Sequence, residues 1–135
     1  MAVFQTTRIS SSKPDRANPG TNTIVEVFTV SSNLATTDTI EFAFVPKNAI
    51  ITDFIFSSTA SLGSTANIII GDASDTDRFL TTQAVTGAVV ARLNNAAGVG
   101  FRYTDRTKLY LTCSSIVTPA TGAVLDFILT YRMDY

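Results

Sequence analysis

Apolar residues recur at every second position through most of the chain after residue 23, and this period restricts the fold more than any other feature. The segment TIEFAFV (39–45) alternates in this way, and AVLDFILTYRM (123–133) continues the alternation over a longer run. Successive side chains of a strand point to opposite faces, whereas a helix repeats at about 3.6 residues. The segment NNAAG (94–98) is too short for a helix and ends in glycine. The period therefore predicts strands throughout.

Eight or nine short strands are predicted, separated by turn signals such as PKN (46–48) and SLGS (61–64). The predicted strands are residues 24–30, 39–45, 49–57, 65–70, 78–83, 88–93, 100–103, 108–113 and 123–133. Many short strands between turns are typical of a β-sandwich or barrel. A chain of 135 residues suits one such domain. We therefore predict an all-β fold with a single β-sandwich.

The first 23 residues differ from the rest, because they are rich in Ser, Thr, Asn, Pro and Gly and show no sustained alternation. One interpretation is a frayed terminus. The other is an arm, with Phe4 and Ile9 as apolar anchors and with Arg8, Lys13 and Arg16 as cations that pair with a partner's carboxylates. We therefore divide the chain into an N-terminal arm (1–23) and a β-sandwich domain (24–135).

The composition is apolar and lightly charged, with 45% hydrophobic and 16% charged residues. Either part of the surface contacts a partner, or the β-sandwich has a thick core. The formal net charge of −1 and the absence of a long basic run argue against nucleic acid as a partner. No apolar run reaches membrane-spanning length, and MAVFQTTRIS lacks a signal-peptide pattern. We expect a soluble protein synthesised in a cytoplasm, with no membrane partner.

The chain has no histidine and a single cysteine, Cys113. This removes Ser-His and Cys-His nucleophile pairs, and it leaves no ligand set for zinc. Neither of the common glycine-rich phosphate-binding motifs occurs. Cys113 shares its strand parity with Leu109 and Leu111, so we predict a buried core residue without a disulfide. We expect no enzyme activity, no cofactor and no small-molecule substrate.

The segment GDASDTDRFL (71–80) holds the densest set of carboxylates, Asp72, Asp75 and Asp77. It could be an ordered turn at a protein contact, a weak calcium site or a catalytic cluster. The spacing D-x-x-D-x-D is not that of an EF-hand loop. Aspartates favour turns because their side chains bond nearby backbone N–H groups. We favour the turn, with a local ion pair between Asp77 and its neighbour Arg78.

Three segments in the central third of the chain resemble the small decoration, or cement, proteins of tailed bacteriophage heads. They are VPKNAIITD (45–53), STANIIIGDA (64–73) and DTDRF (75–79). The resemblance implies a jelly-roll β-sandwich that forms homotrimers on the outside of the capsid. Such trimers sit at three-fold positions, where they bridge and stabilise subunits of the major capsid protein.

Under this resemblance we predict two regions of partner contact. One is the arm, through Phe4, Arg8, Ile9 and Arg16, and the other is the loop from Asp72 to Arg78, including Asp75 and Asp77. The alternative is a carbohydrate- or receptor-binding module of a virion, calcium-dependent through the three aspartates. Its sugar-stacking faces would come from Tyr103, Tyr110, Tyr131 and Tyr135. A carboxylate-dependent hydrolase ranks last.

Overall fold

The computed structural model describes residues 1–6, 20–119 and 122–134, and within these ranges it contains nine β-strands. The strands are β1 (Val3–Gln5), β2 (Thr21–Val30), β3 (Thr39–Val45), β4 (Ala49–Ser58), β5 (Asn67–Gly71), β6 (Leu80–Ala84), β7 (Val89–Arg92), β8 (Thr107–Cys113) and β9 (Ala123–Met133). No helix occurs in these ranges, so none is long and apolar enough to cross a membrane. The all-β prediction is confirmed.

The strands form two sheets with the strand order of a jelly roll. One sheet has the order β2-β9-β4-β7, and the other has the order β1-β3-β8-β5-β6. Four antiparallel pairs, β2 with β9, β3 with β8, β4 with β7 and β5 with β6, are nested in the sequence. The chain is therefore a long hairpin that is rolled into two sheets, as in jelly-roll proteins. The tip of this hairpin is the β5–β6 connection, which contains the three aspartates.

The core lies between the two sheets and is built from the inward residues of each alternating strand. Phe42 of β3 and Phe127 of β9 stack across the two sheets, with ring centroids 4.5 Å apart and an interplanar angle of 9°. Phe54 of β4 lies 5.6 Å from Phe42 and 5.9 Å from Phe79. All four rings are fully buried. Cys113 is also buried, which confirms the core position predicted from its parity.

Most predicted strands match the observed ones to within a few residues, and the segment 100–103 is the main exception. It is not a strand but an extended connection that forms one isolated bridge, between Ile50 and Arg102. The N–H of Tyr103 donates to the carbonyl of Ala49, and the N–H of Ile51 donates to the carbonyl of Phe101. This connection therefore lies along the start of β4, where it reaches the β5–β6 tip.

The beginning of the chain is joined to the edge of the second sheet. Strand β1 pairs in parallel with β3, and the ring of Phe4 packs edge-on against Phe28 at a centroid distance of 6.1 Å. The carboxylate of Asp38 accepts hydrogen bonds from the N–H groups of Ala2 and Ala35, at 2.7 and 2.8 Å. Residues 7–19, with most of the predicted arm, lie outside the described residues. The division at residue 23 stays a prediction.

Candidate functional site

The β5–β6 tip is an ordered turn built around the carboxylate of Asp72. This carboxylate accepts hydrogen bonds from the N–H groups of Ser74 and Asp75, both at 3.0 Å. In return, the N–H of Asp72 donates to the carbonyl of Asp75, which also accepts from the N–H of Arg78 at 3.2 Å. Aspartate bonds of this kind stabilise tight turns. The turn favoured from the sequence is present.

Asp72 is also the centre of a buried polar network that joins two connections of the jelly roll. Arg78 donates to it from Nε at 2.7 Å and from Nη2 at 3.4 Å, so the two side chains form a fork-shaped ion pair. The hydroxyl of Tyr103 donates to the same carboxylate at 2.7 Å. Tyr103 lies in the β7–β8 connection. The network therefore fixes the β5–β6 tip to the segment that precedes β8.

The pKa values of the network follow from this geometry. Burial by itself would raise the pKa of Asp72, but hydrogen bonds from Arg78 and Tyr103 outweigh it and hold the pKa below its ordinary value. Burial opposes charge on Arg78 as well, yet the pKa of its guanidinium is raised by Asp72. The pKa of Tyr103 is raised strongly, first by burial and then by the Asp72 carboxylate. Asp72 and Arg78 are therefore charged and Tyr103 is neutral near pH 7.

Arg78 also packs against the aromatic ring of Phe101. The guanidinium carbon lies 3.7 Å from the ring centroid of Phe101, a cation–π geometry, and Phe101 meets Tyr103 edge-on at 4.8 Å. A cleft of about 190 Å³ opens over this group. It is lined by Asp72, Ser74, Arg78, Phe101, Arg102, Tyr103, Thr104, Asp105 and Thr107. The cleft is small and polar, and both of the Asp72 oxygens beneath it already accept hydrogen bonds. Asp72 is therefore a structural carboxylate and not a free base.

Two glycines permit this close packing. A Cβ on Gly71 would collide with the carbonyl oxygen of Asp75 and would lie 2.7 Å from the carbonyl carbon of Thr76. A Cβ on Gly98 would collide with the carbonyl oxygen of Arg78. Backbone cannot move aside as a flexible side chain can. Glycine at these two positions therefore allows the tip to fold over the end of β5 and the β7–β8 connection to lie against it.

Asp75 and Asp77 remain at the surface of the tip and are partly exposed. A hydrogen bond with the Asp75 carboxyl raises the pKa of Asp77, because two neighbouring carboxylates disfavour a double negative charge. Arg78 reaches Asp75 only at 3.8 Å. In the described part of the chain, no three Asp, Glu, Cys or His side chains converge as metal ligands. Asp72, Asp75 and Asp77 are thus not gathered around one point, and calcium binding through them stays a prediction.

The structure changes two expectations about single residues. The expected ion pair between Asp77 and Arg78 is wrong, since Arg78 turns inward to Asp72. Two of the tyrosines considered for sugar stacking, Tyr103 and Tyr131, are buried in the core and offer no face to a ligand. Tyr110 is partly exposed. Tyr135 lies outside the described residues.

The residues predicted to contact a partner differ in how far they are buried. Asp72 and Arg78 are buried within their own chain, whereas Asp75 and Asp77 keep surface toward solvent. Phe4 is half-buried on β1. Arg8, Ile9 and Arg16 fall in residues 7–19 and lie outside the part that the structure describes. Contact of these residues with a partner stays a prediction.

Sequence reasoning missed Phe101 and Tyr103 as members of the network. Both were read as positions of a short strand, and Tyr103 also as an exposed ring. The available signal was an aspartate directly after β5, an arginine six positions later and a tyrosine in a long connection. That signal is weak, because nothing local shows that residues 72 and 103 meet.

Comparisons with known proteins identify the fold. No protein-family model and no curated protein sequence matches this chain. A chain from the capsid of Ralstonia phage GP4 superimposes with a TM-score of 0.78 at 16% identity, covering 99% of each chain. A chain from the capsid asymmetric unit of cyanophage Pam1 has a TM-score of 0.71 at 15% identity. That match covers 91% of this chain and 96% of the other. At these identities the likeness shows a shared fold.

Proposed function

We propose that this protein is a structural component of a bacteriophage head, a decoration or cement protein that binds the outside of the capsid. The observation that carries the proposal is the match to two phage capsid chains over at least 91% of this chain. The matches cover 96% or more of the two capsid chains as well, so the shared unit is the entire jelly roll. The segments that resemble decoration proteins supply the more specific role.

The proposed mechanism is stabilisation by binding. A homotrimer at a three-fold position bridges neighbouring subunits of the major capsid protein, and a ligand that binds only the mature shell stabilises it by mass action. At a hundredfold excess over Kd, the stabilisation is about 2.7 kcal/mol per site. Three linked attachment points also convert modest single contacts into a durable hold. Repetition over the shell would resist the pressure of the packaged DNA.

The arm and the β5–β6 tip are the proposed contacts with the shell. In the arm, Arg8 and Arg16 would pair with carboxylates of the major capsid protein, while Phe4 and Ile9 would anchor it. At the tip, Asp75 and Asp77 face outward, and Asp72 and Arg78 hold the turn that presents them. A structural role fits this arrangement, since the buried carboxylate is fully engaged with donors.

The experiment compares phage heads that lack this protein with the same heads after addition of the purified chain. Heads and protein are sedimented together through a sucrose cushion, and DNA release on heating is followed with an intercalating dye. We expect saturable binding to the heads and DNA release at a higher temperature. Equal heat resistance with and without the bound protein would contradict the cement function. The Arg8→Glu/Arg16→Glu variant should bind more weakly, with Arg92→Glu as a surface-charge control.

A further inference from the structure

The cleft over Arg78 contains hydrogen-bond donors that the folded chain does not use. Arg78 uses Nε and Nη2 for its bonds to Asp72, and its Nη1 comes only within 3.8 Å of Asp75. Among the described residues, Nη1 makes no hydrogen bond, and the only buried side-chain nitrogen or oxygen without a partner is Oγ1 of Thr112. Nη1 therefore reaches solvent, and Arg78 lines the cleft. We call this site the Arg78 cleft.

The carboxylate beneath the Arg78 cleft has no acceptor capacity to spare. Oδ1 of Asp72 accepts from the N–H groups of Ser74 and Asp75 and from Arg78. Oδ2 accepts from Arg78 and from the hydroxyl of Tyr103. A ligand that brings a donor would have to compete for these oxygens, whereas a ligand that brings an acceptor meets the unused N–H groups of Arg78. The floor of the cleft therefore favours an acceptor.

The guanidinium of Arg78 is already fixed in position. Asp72 holds one edge of it, and the ring of Phe101 packs on its face at 3.7 Å. Its side chain is only 10% exposed. A guanidinium that is held in this way loses little conformational freedom when it binds a further group. Arginine forms its strongest hydrogen bonds with carboxylates and phosphates, so the acceptor that suits it is an oxyanion.

Charge and volume decide between these oxyanions. Arg78 and Arg102 line the cleft together with Asp72 and Asp105, so the formal charges of the lining cancel. Such a lining suits a singly charged carboxylate better than a phosphate group, which carries about −1.5 to −2 at pH 7. The cleft volume of about 190 Å³ is below the roughly 300–1,000 Å³ of small-molecule sites. A single Asp or Glu side chain fits both properties.

We propose that the Arg78 cleft binds a carboxylate side chain of the major capsid protein, an inference that rests on the proposed function for the identity of the partner. The carboxylate would accept hydrogen bonds from Nη1 of Arg78 and from the hydroxyls of Ser74 and Thr104, which also line the cleft. The cleft lies between the β5–β6 tip and the β7–β8 connection. A partner that contacts Asp75 and Asp77 at the tip is therefore placed to insert a side chain beside them.

The first test uses a free carboxylate as the probe. N-acetyl-glutamate N-methylamide is added to the isotope-labelled full chain and followed by NMR, and the matched glutamine compound is the neutral control. We expect saturable shifts at the Nε–H of Arg78 and at the backbone N–H groups of Ser74 and Thr104. The dissociation constant should be about 1–10 mM, as for a fragment-sized ligand. Equal shifts with the glutamine compound, no saturable shifts, or tighter binding of inorganic phosphate would overturn the inference.

Two substitutions at the rim of the cleft change the binding in opposite directions. Thr104→Glu places a carboxylate of the chain itself over Arg78 and should weaken probe binding by about tenfold, through its high effective concentration. The control is Thr82→Glu, an equal change at an exposed position of β6 outside the cleft, which should bind as the wild type does. Asp105→Asn removes a repelling charge and should tighten binding by about two- to fivefold. Misfolding cannot produce this gain, and an unchanged affinity in both rim variants would overturn the inference.

Binding to phage heads separates the carboxylate site from the proposed function. If the shell supplies the carboxylate, Thr104→Glu should bind heads about tenfold more weakly than Thr82→Glu does. If the probe binds but Thr104→Glu and the wild type bind heads equally, the shell is overturned as the source and the cement function stands. If the probe binds but the wild type does not bind heads, the carboxylate site is supported and the cement function is contradicted.

Discussion

The hydroxyl of Tyr103 donates a 2.7 Å hydrogen bond to the carboxylate of Asp72, thirty-one positions away in the sequence. Because the same carboxylate holds Arg78, one buried anion connects the β5–β6 tip with the β7–β8 connection. Asp72 thereby stabilises the end of the jelly roll where these two connections meet.

Replacing Asp72 by asparagine should destabilise the fold by about 3 kcal/mol, because removing one partner of a buried ion pair leaves the other charge uncompensated. Arg78 would lose its partner while its side chain remains 10% exposed. Urea unfolding followed by circular dichroism measures the change. The matched control is Asp53→Asn, which breaks the exposed pair with Arg92 and should cost less than about 1 kcal/mol. Equal effects of the two substitutions would contradict a structural role for the Asp72 network.

Acid should remove the contribution of Asp72. Its pKa in the folded protein is depressed below the ordinary value of 3.8, mainly by Arg78 and Tyr103, which together overcome the opposing effect of burial. The stabilisation is therefore complete well above pH 3.8 and is lost as the pH falls through the folded-state pKa. Urea unfolding of the wild type and Asp72→Asn at pH 7, 5 and 3 should show a difference that is constant from pH 7 to 5 and smaller at pH 3. The pKa of Asp38 is also lowered, by the N–H groups of Ala2 and Ala35, but it affects both proteins alike. Parallel pH profiles down to pH 2 would exclude Asp72 as the source.

Gly71→Ala should be strongly destabilising, by about 3 kcal/mol or more, because the added Cβ meets backbone of the tip that cannot move aside. The control is Gly87→Ala, where a Cβ would meet nothing within 4 Å. That change should leave stability within about 1 kcal/mol of the wild type or raise it slightly. Thermal unfolding by calorimetry compares the two. A Gly71→Ala protein as stable as Gly87→Ala would mean that the tip does not fold back over β5.

Cys113 should resist thiol reagents in the native protein. Burial raises the pKa of its thiol to about 12, with a smaller contribution from Asp38. At pH 8 the thiol is therefore protonated, and a reagent in solution cannot reach the buried sulfur. We expect labelling by a disulfide reagent to be slower than in urea by a factor of about a hundred or more. A control with Cys113→Ser and Ser114→Cys moves the thiol to an exposed neighbouring position and should react at once. Fast labelling of native Cys113 would contradict its place in the core.

The alternation of apolar residues was sufficient to predict most strands. A strand that buries one face needs an apolar side chain at every second position, and this requirement is visible in a few neighbouring residues. The predicted bounds of β3 (Thr39–Val45) and β9 (Ala123–Met133) agree with the structure, and so does the inward position of Cys113. The segment 100–103 misled the same reasoning, since an extended connection that lies along β4 has the same local pattern as a strand. The alternation of apolar residues shows that a segment is extended and half-buried. It does not show whether the segment pairs with a neighbouring strand along its whole length.

The candidate site shows more clearly what local sequence patterns cannot predict. The three aspartates and Arg78 marked the β5–β6 tip as polar and turn-forming. Adjacency suggested that Arg78 pairs with Asp77, but the folded tip turns Arg78 inward to Asp72. Tyr103 resembled an exposed ring, and the structure buries it against the same carboxylate. These pairings depend on Gly71 and Gly98 allowing two connections to approach, which no single segment specifies.

The sequence by itself determined an all-β chain with short strands, a buried cysteine and a polar turn, because period, turn residues and parity act over a few neighbouring positions. Only the tertiary structure decided the nested pairing of β2 with β9 through β5 with β6 and the Asp72–Arg78–Tyr103 network. These features join residues tens of positions apart. Their formation depends on how two sheets pack against each other, and that free energy is a property of the whole core.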